Sequence, residues 1–115
     1  MDKCMKQLID NKLSDGSIYV FCTKWNASMG AKYITVYGND LYVTPYIGGI
    51  YGVNVKKAIK INKQDIKDMK LNKSFWTGYK LVITLKDGKV LKYTPVNKSW
   101  LAPANALVNS WFLKK

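Results

Sequence analysis

Residues 81–95 read LVITLKDGKVLKYTP, with runs of aliphatic and aromatic residues on both sides of Asp87 and Gly88. An Asp-Gly pair between two such runs predicts a β-hairpin, because glycine readily adopts the positive φ angle that a tight turn requires. The length of the turn then decides which side chains face the core, since a shift of one residue moves every side chain to the opposite face.

A three-residue loop sorts the side chains of this hairpin better than a two-residue turn. With residues 86–88 as the loop and its glycine in a G1 bulge, Leu85 pairs with Lys89. Ile83 then pairs with Leu91. The predicted inward face is Leu81, Ile83, Leu85, Leu91 and Tyr93. The predicted outward face is Lys80, Thr84, Lys92 and Thr94.

Five further strands are predicted before the hairpin. Residues 17–25, 31–37 and 41–47 are rich in β-branched and aromatic residues and are separated by turn-forming residues. Residues 51–61 form the fourth predicted strand. Residues 55–73 also carry lysines at helical spacing, so periodicity alone leaves a helix open there. Alternation and the flanking strands favour two strands, with a turn at Asn62 to Asp65.

Apolar residues at helical spacing predict a helix at each end of a single domain that spans residues 1–115. The N-terminal helix is expected within residues 1–14 and the C-terminal helix within residues 100–113. The apolar positions of the first are Met5, Leu8, Ile9 and Leu13. Those of the second are Ala104, Leu107, Val108 and Trp111.

The composition favours anionic partners and argues against catalysis. The formal net charge is +12, from 19 lysines and seven aspartates, and there is no arginine, glutamate or histidine. Without histidine or glutamate a general base would have to be an aspartate or a perturbed lysine. A non-enzymatic protein without cofactor or metal is therefore expected. The absence of arginine also weakens the nucleic-acid interpretation, because arginine suits bidentate contacts to guanine and phosphate.

The N-terminus has no apolar signal-peptide core, and the longest uncharged run is interrupted by proline and glycine and too short to span a membrane. These features predict a cytoplasmic protein. Cys4 is expected on a helix surface and Cys22 in a buried strand, both reduced.

The order of elements resembles the pleckstrin-homology (PH) fold, and the runs AIKINKQDIKDMKL and YKLVITLKDGKVLKY are similar to bacterial PH-like and GRAM-like domains. The resemblance implies a mainly β, α+β architecture. In it, about seven antiparallel strands over residues 17–95 form a partly open barrel that the C-terminal helix caps. It also implies that three loops meet at the open end of the barrel. Their lysines, the predicted anion or ligand site, are Lys24, Lys32, Lys86 and Lys89.

Two functions follow as expectations. The first is a binding module that engages a partner protein or an anionic surface such as membrane phospholipid. The alternative is a small basic nucleic-acid-binding protein, for example from a mobile element, that uses a second basic face. The lysines of that face are Lys56, Lys60, Lys63, Lys67 and Lys70. Lysines on edge strands also discourage aggregation, which is a purely structural role.

Overall fold

A computed structural model describes residues 3–16, 18–22, 32–48, 51–74, 78–96 and 101–113 of the chain. Within them an N-terminal helix, α1 (Lys3–Asp10), precedes a series of strands, and a C-terminal helix, α2 (Leu101–Ala106), continues as a π-helical segment over Leu107–Phe112. The strands are β1 (Ile18–Cys22), β2 (Lys32–Tyr37), β3 (Asp40–Gly48), β4 (Gly52–Val53), β5 (Ile59–Asn62), β6 (Ile66–Ser74), β7 (Gly78–Leu85) and β8 (Val90–Val96).

These eight strands belong to one antiparallel sheet with the order β4, β3, β2, β1, β8, β7, β6. β5 pairs with the first half of β3, which is the part of that strand that β4 leaves free. Among the described strands no pairing joins β5 with β6, so the sheet is not closed into a barrel. The prediction of a mainly β, α+β chain with a helix at each end is confirmed.

The predicted number of seven strands is wrong, because the fourth predicted strand is two strands in the structure. β4 pairs with the second half of β3, a 3₁₀ turn follows at Val55–Lys57, and β5 then pairs with the first half of β3. The change of partner falls beside Pro45, which has no N–H to donate. The Asn54 N–H donates to the Pro45 carbonyl at 2.8 Å, where the chain leaves the ladder.

The two-strand interpretation of residues 55–73 is confirmed from β5 onward, and the helical alternative is wrong. β5 and β6 are separated by a 3₁₀ turn at Lys63–Asp65, within the predicted turn. The side chain of Asn62 accepts a hydrogen bond from the Gln64 N–H at 2.9 Å and so caps this turn.

The hairpin of β7 and β8 has the predicted register. Gly88 has φ +96°, the Leu85 N–H donates to the Lys89 carbonyl at 2.8 Å, and Ile83 lies opposite Leu91. Leu81, Ile83 and Tyr93 are buried, while Leu85 and Leu91 are half-buried. The three-residue loop with a bulge is therefore confirmed.

One face of the sheet and the C-terminal helix form the main core. Ala104 and Leu107 are fully buried there, and Val108 and Trp111 pack against the same cluster, as the predicted stripe requires. The indole Nε1–H of Trp111 donates to the Gly38 carbonyl at 2.9 Å and joins the helix to the β2–β3 turn. The strand residues of this core are Ile34, Val36, Leu41, Val43, Ile61, Ile66, Met69, Leu81, Ile83 and Tyr93.

Helix α1 ends at Asp10, earlier than predicted, because the chain reverses in a Schellman motif. Lys12 takes the left-handed position with φ +58°, and its N–H donates to the Ile9 carbonyl at 3.0 Å. The Leu13 N–H donates to the Leu8 carbonyl at 2.8 Å. Hydrogen bonds of this pattern satisfy carbonyls that the helix itself leaves unpaired, so the helix needs no further turn.

Helix α1 forms a second, smaller core with the hairpin of β3 and β4. Cys4 and Leu8, one helical turn apart, are buried together with Val53, and Tyr33 and Tyr46 pack against them. Cys4 is buried, so its expected position on a helix surface is wrong: its spacing from Leu8 puts it on the buried face.

Two fully buried threonines on β2 and β3 differ in their hydrogen bonding. The Thr35 hydroxyl donates to the Leu13 carbonyl at 2.6 Å, whereas the Thr44 hydroxyl has no partner among the described residues. An unpaired buried hydroxyl costs about 1–3 kcal/mol.

We expect Thr44→Val to raise the free energy of unfolding by about 1 kcal/mol, because valine keeps the shape and removes the unpaired hydroxyl. The matched substitution Thr35→Val should lower it by about 1–3 kcal/mol, because it leaves the Leu13 carbonyl without its donor. Urea unfolding of both variants measures the two shifts. Shifts of the same sign would contradict the assignment of a hydrogen-bonded hydroxyl to Thr35 and an unpaired hydroxyl to Thr44.

Candidate functional site

A cleft of about 540 Å³ opens where β5 and β6 separate. Ile61 and Leu85 supply its apolar lining, and charged side chains from β5, the 3₁₀ turn and the hairpin tip line the remainder. These charged residues are Lys60, Asp65, Lys86 and Asp87. The site therefore combines two cations and two anions around a small apolar surface.

Backbone hydrogen bonds fix the elements around this cleft. The Lys63 N–H donates to the Asn39 carbonyl at 2.7 Å, and the Lys86 N–H donates to the Asp65 carbonyl at 2.9 Å. The 3₁₀ turn is thereby held between the β2–β3 turn and the β7–β8 tip. The cleft forms because β5 pairs with β3 and β6 pairs with β7, so that β5 and β6 do not pair with each other.

Two of the charged side chains of the cleft have neighbours that orient them. The Lys60 ammonium lies 3.8 Å from an Asp40 carboxylate oxygen, and the other Asp40 oxygen accepts from Asn62 Nδ2 at 3.1 Å. At the tip, the Asp87 carboxylate accepts from the Lys89 N–H at 2.9 Å. Lys60 is exposed, and an exposed ion pair contributes at most about 1 kcal/mol, so its ammonium can exchange partners easily.

The outer edge of β6 borders the same open side of the sheet. β6 spans nine residues and pairs with β7, and no other described strand pairs with it. An edge strand presents N–H and C=O groups that can pair with a further strand. The π-helical segment after α2 packs against β6 and against the core beneath it.

The first predicted lysine set is only partly located. Lys86 and Lys89 are exposed at the β7–β8 tip. Lys32 is half-buried, and its ammonium lies 5.9 Å from the centre of the Tyr93 ring, within the range of a cation–π contact. Lys24 lies outside the described residues.

Strand pairing sets Lys32 apart from the two tip lysines. Lys32 pairs with Cys22, whose partner on β8 is Val96, about 20 Å of strand from Val90 at the tip. The Lys32 side chain then reaches back toward Tyr93. A site made of all four lysines stays a prediction.

The second predicted lysine set is spread over several elements. Lys56 lies in the 3₁₀ turn before β5, Lys60 on β5, Lys63 in the turn after it, and Lys67 and Lys70 on β6. All except half-buried Lys63 are exposed. Since β5 and β6 are not paired, the set does not follow one continuous ladder.

One lysine from each predicted set lines the same cleft, Lys86 from the first set and Lys60 from the second. Sequence reasoning missed this pair, since β5 and the hairpin tip meet only through tertiary structure. It also missed the contact of Lys63 with Trp111, whose ring centre lies 5.4 Å from the ammonium. The only sequence signal for that contact was the place of Trp111 in the apolar stripe.

In the part of the chain that the structure describes, no three His, Cys, Asp or Glu side chains gather as metal ligands. No helix among the same residues is long and apolar enough to cross a bilayer. Comparison of the sequence with models of known protein families and with curated proteins finds no match.

Proposed function

We propose that the chain is a non-enzymatic binding module of PH-like architecture that engages a partner protein through an extended segment laid along the edge of β6. The run of antiparallel strands with a C-terminal helix packed on the core supports the PH-like part of the proposal. The binding part rests on one observation: no other described strand pairs with the outer edge of β6, and this edge lies beside a lined cleft.

An added strand would gain main-chain hydrogen bonds along β6. Each such bond contributes about 0.5–1.5 kcal/mol net, and pockets for alternate side chains supply specificity. The cleft at the N-terminal end of β6 provides one such pocket, lined by both apolar and charged residues. The edge and the cleft together suit a segment that carries both apolar and charged side chains.

The charges on β6 disfavour pairing with a second copy of the same edge and favour pairing with an acidic segment. Lys67, Lys70 and Lys73 are exposed on this strand, and Asp68 is its only acid. Two copies of such an edge would repel each other, whereas an acidic segment would be attracted. The partner segment is therefore acidic and extended.

The proposal is tested by selecting binders for the folded chain from a display library of random linear peptides. We expect acidic peptides that slow amide hydrogen exchange in β6 more than in β7. The double substitution Lys67→Glu/Lys70→Glu should weaken their binding about tenfold, a loss of about 1.4 kcal/mol. The matched control Lys6→Glu/Lys92→Glu makes the same charge change on exposed residues of α1 and β8.

Three outcomes would overturn the proposal: no enriched peptide, exchange protection away from β6, or equal weakening by the two charge-reversal variants. Titration with DNA and RNA over a range of salt concentrations covers the nucleic-acid alternative. Tight binding that falls steeply with salt would favour that alternative, because phosphate contacts release counterions.

A further inference from the structure

The hairpin of β3 and β4 carries two exposed apolar side chains near its turn. Ile47 is 53% exposed and Tyr51 is 68% exposed, the two highest values among the large apolar side chains of the β-strands and their turns in the described residues. At the base of the hairpin, Tyr46 packs edge-on against Tyr33 with ring centres 6.0 Å apart. The hairpin therefore has a packed base and an apolar end.

Helix α1 holds this hairpin in place through one side chain. The Gln7 amide nitrogen donates to the Tyr51 carbonyl at 3.2 Å, and the Gln7 carbonyl oxygen accepts from the Val53 N–H at 2.8 Å. The backbone next to the exposed Tyr51 is thus fixed although its side chain is in solvent. Tyr51 is therefore presented on a fixed backbone, which lowers the entropy cost of binding through its side chain.

Exposed lysines lie on the two elements that adjoin the base of the hairpin, α1 and the 3₁₀ turn after β4. Lys6 is adjacent to Gln7 on α1, and Lys56 and Lys57 lie in the 3₁₀ turn that follows β4. Val55, at the start of that turn, packs against the α1 cluster, so the lysines of the turn and of α1 belong to the same side of the molecule.

The hairpin and its surroundings are free of acidic residues in sequence. No aspartate lies between Asp40 and Asp65, a stretch that contains four lysines, Lys56, Lys57, Lys60 and Lys63. A surface with an apolar end and a mainly cationic base, in which α1 contributes the exposed acid Asp10, is complementary to a layer that is apolar inside and anionic outside. That is the profile of a bilayer with anionic lipids.

We propose that the β3–β4 hairpin enters the interface of an anionic lipid bilayer through Ile47 and Tyr51. Ile47 and Tyr51 enter the boundary between headgroups and acyl chains, and Lys6, Lys56 and Lys57 contact lipid phosphates. The dimensions fit, because Val55 lies about 13 Å of chain from Tyr51 and interfacial elements enter about 5–10 Å deep. Tyrosine suits this depth because its ring is apolar and its hydroxyl is polar.

This surface is separate from the β6 edge and goes beyond the proposed function. A bilayer accounts for both halves of the surface, because the lysines can contact lipid phosphates while Ile47 and Tyr51 are transferred from water to the acyl-chain boundary. A nucleic acid would use the lysines and leave Ile47 in water. An acidic protein face would match the charges without offering hydrocarbon to the apolar pair, and in the test it corresponds to no binding to either vesicle.

The test is co-sedimentation of the full chain with phosphatidylcholine vesicles, with and without phosphatidylserine. We expect binding to the vesicles that contain phosphatidylserine, reduced about tenfold or more by Ile47→Ser/Tyr51→Ser. The matched control is Tyr37→Ser/Ile59→Ser, which changes the same residue types at 44% and 50% exposure elsewhere in the sheet. This control should bind as the unchanged chain does.

The lysine variant Lys6→Ala/Lys56→Ala/Lys57→Ala should also weaken vesicle binding and flatten its dependence on salt. Circular dichroism of each variant checks that the fold is kept. No binding to either vesicle would overturn the proposal, and so would equal losses in the tip variant and its control. Peptide binding at the β6 edge is measured without lipid, so that either proposal can fail alone.

Discussion

Leu107→Ala is expected to lower the free energy of unfolding by about 2–5 kcal/mol. Leu107 is fully buried between the C-terminal helix and the sheet, and truncation removes its apolar contacts and leaves a cavity. The matched change is Leu113→Ala, one residue beyond the π-helical segment, where the side chain is 57% exposed. That variant should stay within about 0.5 kcal/mol of the unchanged chain.

Urea unfolding followed by far-UV circular dichroism measures both differences. A small effect of Leu107→Ala would mean that the C-terminal helix is not docked on the core. In that case the helix would not pack against β6, the strand whose edge the binding proposal uses.

Gly52→Ala is expected to lower the free energy of unfolding by about 2–4 kcal/mol, more than an ordinary substitution in a hairpin. Gly52 has φ +77°, a conformation that costs an L-residue about 1 kcal/mol or more. A Cβ at this position would also lie well inside contact distance of the Gln7 amide. Displacing Gln7 breaks its two hydrogen bonds to the hairpin, each worth about 0.5–1.5 kcal/mol.

Gly38→Ala separates the two contributions. Gly38 has φ +62°, but a Cβ there would meet nothing within 4 Å, so that variant should lose only the conformational part. In a Gln7→Ala background, Gly52→Ala should cost no more than Gly38→Ala does. A double-mutant cycle from urea unfolding measures this coupling, and purely additive losses would contradict the role given to Gln7.

The parts of the fold that the sequence predicts correctly depend on neighbouring residues. The β7–β8 register follows from the position of one glycine and from the alternation on each side of it. The stripe on the C-terminal helix follows from spacing alone. Each of these patterns lies within a short stretch of sequence, so the sequence contains what is needed to predict it.

The errors arise where tertiary structure overrides a local pattern. Alternation continues through Val55 and Lys57, yet these residues form a 3₁₀ turn, because β3 is long enough to pair with two short strands in succession. Helix α1 is shorter than predicted because Lys12 adopts a conformation that glycine usually takes. Neither outcome follows from residue type.

The candidate site could be predicted only in part for the same reason. The sequence shows that lysine is the abundant charged residue. The first lysine set, however, rests on the resemblance to PH-like loops and the second on spacing along the chain, and neither shows which lysines meet in the fold. Lys60 and Lys86 share a cleft across a large sequence separation, whereas Lys32 is separated from the tip lysines by the length of β8. The exposure of Tyr51, the most exposed of the large apolar residues described, does not follow from the sequence, because aromatic residues in strands are usually packed.

The gap between β5 and β6 also bears on how such a chain can evolve. The turn Lys63–Asp65 joins two strands that do not pair, so residues inserted there would shift no strand register in the described sheet. Length changes in most of the other described connections would alter a hairpin. The dimensions of the cleft can thus diverge between descendants of this sequence while the core that supports it is conserved.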